Sequence, residues 1–262
     1  MEKNSPPPNN GSSTVEISRA RAAERCAVTI VIDSNNIRPL YEQSCDAAFL
    51  LQRELEVWAT ALNHPTLTEF TLHNPTRFLQ AHELTALIRT LAKLYNIQPI
   101  EKRLHTVNCD LADLNRNWLG LFKGLGFNRC LVEIALSDLE NTPIVMQKLA
   151  KIKEFGFAQL GLVVFPAPAL PDLKTAIAPL VKIFNQLHIF LGHTSHNALD
   201  TNFELEPDED SHISINVGPG VDAFVYSEHR YKLHNISLYT QALLNHKLPI
   251  STPISLPPRP IN

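Results

Sequence analysis

The 262-residue sequence has no surplus of positive charge. Twenty-three Lys and Arg stand against 26 Asp and Glu, a net charge of −3. A protein that binds nucleic acid or an anionic membrane surface ordinarily shows a basic stripe or patch, so neither partner is expected. No window approaches the roughly 20 apolar residues of a membrane span. The N-terminus is polar, with no apolar leader, and the cytoplasm is the expected location. The four cysteines, Cys26, Cys45, Cys109 and Cys130, form no CxxC pair, so no zinc or iron–sulfur spacing is present. They read as reduced thiols. Glycine is scarce, at nine residues. The Gly218-Pro219-Gly220 turn lacks the strand–glycines–helix context of a phosphate loop and reads as a structural turn.

The middle of the chain carries a repeated unit. Gly126-Phe127 opens an apolar run through Leu136, and Gly156-Phe157 opens a second through Pro166. Between them Ile144, Val145, Leu149, Ile152 and Phe155 recur at helical spacing, and a Gly after the last helical residue suits a left-handed cap. This is a βαβ unit, with strands expected to be buried on both faces. Further strands are expected near residues 27, 66, 98 and 186, which makes six βα steps at roughly 30-residue spacing. The polar stretch Asp33-Ser34-Asn35-Asn36 reads as a turn, Gln98–Asn108 as a strand with a polar middle, and Asp110 and Asp113 as the caps of the next helix.

The expected fold is α/β: a partial (β/α)6 TIM-type barrel with a small C-terminal hairpin-and-helix extension. Residues 1–24 read as a disordered polar tail, 25–196 as the barrel, 197–250 as the extension and 251–262 as a Pro-rich tail. The strand order is expected to follow the chain.

The segment order resembles the oxygen-independent coproporphyrinogen III oxidase-like family of the radical S-adenosylmethionine superfamily. Three stretches carry the resemblance. Gly124-Leu-Gly-Phe-Asn-Arg129 is similar to a strand-start signature of the family. Ile215-Asn-Val-Gly-Pro-Gly-Val-Asp222 is similar to its Gly-Ile-Gly-Pro-Gly-Ala-His block. His234-Asn-Ile-Ser-Leu-Tyr239, through Leu248-Pro249-Ile250, is similar to the helix that follows. The resemblance implies a barrel, S-adenosylmethionine, a tetrapyrrole substrate and a [4Fe-4S] cluster on a CxxxCxxC loop after the first strand. Here that place holds Asp33-Ser-Asn-Asn-Ile-Arg-Pro39, without cysteine. The Gly-Gly-Gly-Thr-Pro turn after the second strand is replaced by Leu72-His-Asn-Pro-Thr76. Leu136 stands for a family glutamine and Asp222 for its histidine. Four altered features argue for a degenerate member that has lost the radical chemistry, a pseudoenzyme with no [4Fe-4S] cluster.

Such a chain is expected to act as a binding or partner protein in haem, tetrapyrrole or cofactor metabolism. It would take a tetrapyrrole or S-adenosylmethionine, or a protein partner. The alternatives are an active enzyme on the same barrel with a different cofactor or metal, or a scaffold that joins a complex. Candidate ligand-binding residues are Asp33, His73, Asn74, Asn108, Glu133, Ser137 and His193, all at or near strand ends. Such ends share one mouth in a barrel, so the main pocket is expected there. Glu133 interrupts an apolar strand, and a buried carboxylate needs a partner, with Arg129 or a ligand the candidates. Asp138 suits a helix cap. His188, His193 and His196, with Asp200 nearby, read as loop histidines, a metal or haem contact being the alternative.

Overall fold

The computed structural model describes residues 27–43, 46–165, 187–191, 212–225 and 228–251. The helix expected over Leu173–Phe184 and both tails lie outside them. Strand β1 (Ala27–Asp33) leads into α1 (Ser34–Glu42) and α2 (Ala47–Ala61). Then come β2 (Thr66–His73), a 3-10 turn Pro75–Arg77 and α3 (Ala81–Leu94). A two-residue β3 (Asn96–Ile97) precedes β4 (Leu104–Asp110), α4 (Arg116–Gly124), β5 (Arg129–Ala135), a 3-10 stretch Leu136–Asn141, α5 (Thr142–Glu154) and β6 (Gln159–Phe165). The described chain ends with β7 (Leu187–Leu191), β8 (His212–Val217), the hairpin β9 (Asp222–Val225) and β10 (Glu228–Tyr231), and α6 (Ile236–Leu244).

One sheet runs in the order β10-β9-β8-β1-β2-β4-β5-β6-β7, with β3 beside β2. From β1 to β7 the order follows the chain and neighbouring strands are parallel. The fold is therefore an α/β barrel-like sheet, and it is not closed. The first strand of the C-terminal segment, β8, lies parallel against β1 with Ile30 opposite Ile215. Among the described residues no helix is long and apolar enough to cross a membrane.

Four local expectations are refined or corrected. β5 and β6 are buried on both faces as expected, with Leu131 and Val163 as buried as their neighbours Val132 and Val164, but over the sheet as a whole one face carries many polar residues. Val28, Ile30 and Ile32 of β1, Val107 and Cys109 of β4, Cys130, Val132 and Ile134 of β5, and Ile213, Ile215 and Val217 of β8 are buried. They alternate with Thr29, Thr106, Asn108, Arg129, Glu133, Ser214 and Asn216. Successive side chains in a strand point to opposite faces, so one face is apolar and packed under helices, and the other mixes these polar residues with Val31, Leu131 and Val163. Second, Asp33-Ser34-Asn35-Asn36 is no free turn: Asp33 caps α1, accepting from the Asn35 amide at 2.8 Å. Third, β4 begins only at Leu104, because the amides of Lys102 and Arg103 turn back onto the Pro99 carbonyl at 2.9 and 3.0 Å. Fourth, Asn115 caps α4, accepting from the amides of Asn117 and Trp118. Asp110 accepts from Ala112 two residues on and shapes the loop before it.

The glycine after α5 behaves as its spacing predicts: Gly156 has φ +69°, the left-handed region that ends helices. Gly218 has φ +131°, and a Cβ there would meet the Asn36 carbonyl oxygen at 3.2 Å.

Candidate functional site

Parallel strands in register set one rim. Asp33 stands opposite His73, and His73 opposite Asn108. Asp110 stands opposite Glu133 one step further up. The residues alternate with the buried apolar set, so they face the concave side of the sheet. His73 and Asn74 are buried, and Asn108 is 1% exposed.

Glu133 anchors the network. Its carboxylate accepts from Asn108 Nδ2 at 2.7 Å and from Asn74 Nδ2 at 3.1 Å. Asn74, at φ 48°, is held there by its surroundings. Its amide donates to the Asn108 carbonyl at 2.7 Å, and its Oδ1 accepts from the Asp110 amide at 3.0 Å. Asn108 Nδ2 also lies 3.1 Å from His73 Nδ1. An amide nitrogen that donates to Glu133 has its second proton for the imidazole, so His73 Nδ1 accepts and Nε2 carries the ring proton. Burial holds His73 below its ordinary pKa, against the opposing pull of Asp33 and Glu133, so the ring is neutral. Asn108 Oδ1 and Thr76 Oγ1, both buried, have no hydrogen-bond partner among the described residues.

Arg77 closes the outer edge. Its Nε reaches Asp113 at 2.9 Å and its Nη2 reaches Asp110 at 3.1 Å. The rim therefore carries Asp33, Asp110, Asp113 and Glu133 against one guanidinium. Five of the seven candidate residues, Asp33, His73, Asn74, Asn108 and Glu133, are brought to this rim. Ser137 is not among them: it is exposed in the 3-10 stretch past the end of β5. His193, His196 and Asp200 lie outside the described residues. Two partner expectations are corrected. Glu133 meets the two asparagines and not Arg129, because Arg129 sits four residues earlier, at the opposite end of the same strand. Asp138 accepts from the Ala135 amide at 3.0 Å, at the start of the 3-10 stretch, and not from the first turn of α5, whose N-cap is Asn141.

A cleft of about 470 Å³ lies elsewhere, between α2, α3 and the segment after α6, with Val57, Thr60, Lys93 and His246 among its walls. Cys109 and Cys130 are free thiols on the apolar, helix-facing side of the sheet. Burial pushes both thiols up, Cys130 to about 12. Among the described residues no group of three or more His, Cys, Asp or Glu is arranged to hold a metal ion.

Reading the sequence residue by residue missed a second polar centre. Glu54 of α2 is 0% exposed. One oxygen accepts from Lys232 Nζ and from Trp58 Nε1 at 3.2 Å, the other from the Gly218 amide at 2.9 Å and from the Tyr239 hydroxyl. Lys232 also donates to the Asn216 carbonyl. A lone Glu on the apolar side of α2 was the available signal.

No family model matches the sequence, and no curated protein matches it. Solved structures do resemble the fold. Coproporphyrinogen III oxidase from Escherichia coli, described as a radical SAM enzyme, matches with a TM-score of 0.61 over 88% of this chain and 73% of that one, at 10% identity. HydG, a maturase of the [FeFe]-hydrogenase, matches at a TM-score of 0.37 and 12% identity over 89% of this chain and 54% of that one. The likeness to coproporphyrinogen III oxidase is one of fold: this chain shares its barrel-like α/β architecture.

Proposed function

We propose that the chain is a cluster-free relative of the coproporphyrinogen oxidase-like radical SAM proteins, and that it binds a small molecule at the rim of β1, β2, β4 and β5. The observation that carries this reading is the Glu133–Asn108–His73 chain. It fixes a neutral imidazole with a proton on Nε2 and leaves the buried Asn108 Oδ1 without a partner among the described residues. An orphaned buried acceptor costs about 1–3 kcal/mol, a cost that a bound ligand relieves.

The residues present do not fit a [4Fe-4S] cluster. Such a cluster needs thiolates. After β1 the chain enters α1, capped by Asp33 and without cysteine. Cys109 and Cys130 are held protonated under the helices. Binding is thus the reading, with no radical step assigned.

The charge of the rim chooses between the two candidate ligands. Four carboxylates, Asp33, Asp110, Asp113 and Glu133, stand there, and Arg77 pairs with Asp110 and Asp113. A tetrapyrrole bearing several carboxylates is repelled by this arrangement, whereas the sulfonium and ammonium of S-adenosylmethionine are attracted. Calorimetric titration tests the choice. S-adenosylmethionine is expected to bind saturably, and at least tenfold more weakly to His73→Ala and Asn108→Leu. Coproporphyrin is expected to give no saturable heat. Tight coproporphyrin binding, or adenosyl binding that both variants leave unchanged, defeats the reading.

A further inference from the structure

The rim stands at the C-terminal ends of the strands. α2 and α3 end, at Ala61 and Leu94, just before β2 and β3 begin, so their last turns lie at the opposite end of the sheet. The cleft of about 470 Å³ opens there, on the outer, helical side. Its volume falls in the range of small-molecule sites. Val57 is buried at its floor, and Leu94 and Leu248 are half-buried beside it. Lys93, from α3, and His246, from beyond α6, are exposed. The cleft is therefore apolar below and polar at its mouth.

Lys93 is the charge that the fold leaves over. Glu56, also in the wall, is engaged by Arg53 Nη1 at 2.5 Å. Nη2 of the same guanidinium donates to His246 Nε2 at 2.9 Å, so the ring proton sits on Nδ1. Lys93 makes no ion pair and no side-chain hydrogen bond among the described residues. A lysine in the last turn of a helix ordinarily answers the helix's own carbonyl end. Here the helix ends are answered largely from within. The Leu91 carbonyl accepts from the Tyr95 amide at 2.9 Å, and the Leu94 carbonyl from His64 Nδ1 at 3.0 Å. At the end of α2 the Trp58, Ala59 and Thr60 carbonyls accept from the amides of Leu62, His64 and Asn63. Asn63 and His64 take left-handed backbone to do so, at φ 55° and 56°.

We infer that this cleft is a second ligand site, for a small organic anion: a carboxylate on a short aliphatic chain. The carboxylate pairs with Lys93 at the mouth, with the His246 ring, oriented by Arg53, as a neighbouring donor. The chain lies against Val57, Leu94 and Leu248. Charge selects the class. An uncharged ligand leaves Lys93 unpaired, and a cationic one has to take Glu56 from Arg53. The site stands independently of the reading of the rim.

The test is calorimetric titration of the full chain with three probes that share one chain length: hexanoate, hexylammonium and 1-hexanol. Hexanoate is expected to bind saturably, and the other two at least tenfold more weakly. Lys93→Met keeps the aliphatic stem and removes the charge, and is expected to weaken hexanoate binding at least tenfold. Ala61→Trp puts a ring into the cleft from an exposed position on its wall and is expected to abolish binding with the far-ultraviolet spectrum unchanged. His73→Ala, at the rim, is expected to bind hexanoate as the parent does. The inference is overturned if hexanoate gives no saturable heat, or if hexylammonium or hexanol binds as tightly. It is also overturned if Lys93→Met or Ala61→Trp binds hexanoate as the parent does, or if His73→Ala loses it, which would put the probe at the rim.

Discussion

His105 of β4 sits on the apolar side of the sheet, its ring 5.9 Å from Phe70 and 6.3 Å from Phe127. Neither ring nitrogen has a hydrogen-bond partner among the described residues. Burial, helped by the charge of Arg103, lowers its pKa to about 4. The unfolded chain holds this proton near pH 6.5, so between pH 6.5 and 4 the unfolded state binds more protons than the folded one. Stability from this group is complete above pH 6.5 and is lost as pH falls to 4, by about 3 kcal/mol. His105→Phe removes the titration. Its urea-unfolding free energy is expected to fall less than the parent's across that window by about this amount, and parallel pH profiles would refute the assignment. Glu54 makes the converse case. Its carboxylate is buried and fully hydrogen-bonded, so Glu54→Gln takes from Lys232 the carboxylate it pairs with and is expected to cost about 3–5 kcal/mol in urea unfolding. Glu54→Leu combined with Lys232→Met removes both charges, and is expected to cost less than Glu54→Gln alone. None of this was legible from residue type. A histidine among apolar residues and a glutamate in a helix have their meaning set by what the fold brings against them, and Lys232 lies 178 positions away.

Helices and strands were legible where periodicity was long and uninterrupted. β7 falls at Leu187–Leu191, and α2, α3 and α5 fall within a few residues of their apolar stripes. The misreadings share one cause. Asp and Asn serve both turns and helix caps, so Asp33-Ser34-Asn35-Asn36 read as a turn and Asp110 as a cap when the roles were the reverse. The alternation within strands was present in the sequence, as in Val28-Thr29-Ile30 or Ile213-Ser214-Ile215-Asn216. It marks the polar share of the inner face, and it agrees with Glu133 as an inward residue that needs a partner. A cap is also testable by itself. Asp33→Ala deprives the α1 amide at Asn35 of its acceptor and is expected to cost about 1 kcal/mol. Asp33→Asn, which keeps an acceptor oxygen, is expected to cost less, and equal losses in the two variants would deny the cap its role.

At the scale of the whole molecule the chain closes back on its beginning. The last parallel strand, β8, is inserted beside the first, with six residue pairs in register from Ala27–His212 to Ile32–Val217. Its apolar residues are as buried as those of β1. The Glu54 centre then fastens the same region from the helix side. It joins α2 to the Gly218 turn, to Lys232 after β10 and to Tyr239 of α6. A segment that was merely laid against one end of a barrel would open on its own, with a free energy below that of global unfolding. A strand paired centrally in the sheet and tied to a buried ion pair opens only with the rest. Native-state hydrogen exchange distinguishes the two. The amides of β8 are expected to exchange with the same free energy and the same denaturant dependence as those of β1 and β2. In Glu54→Gln both sets are expected to fall together. Faster exchange confined to residues 212–251 in the parent protein would show a separate unit and sink the prediction. So would loss of protection in the variant that spared β1, because β1 would then be stable without the strand that covers its edge.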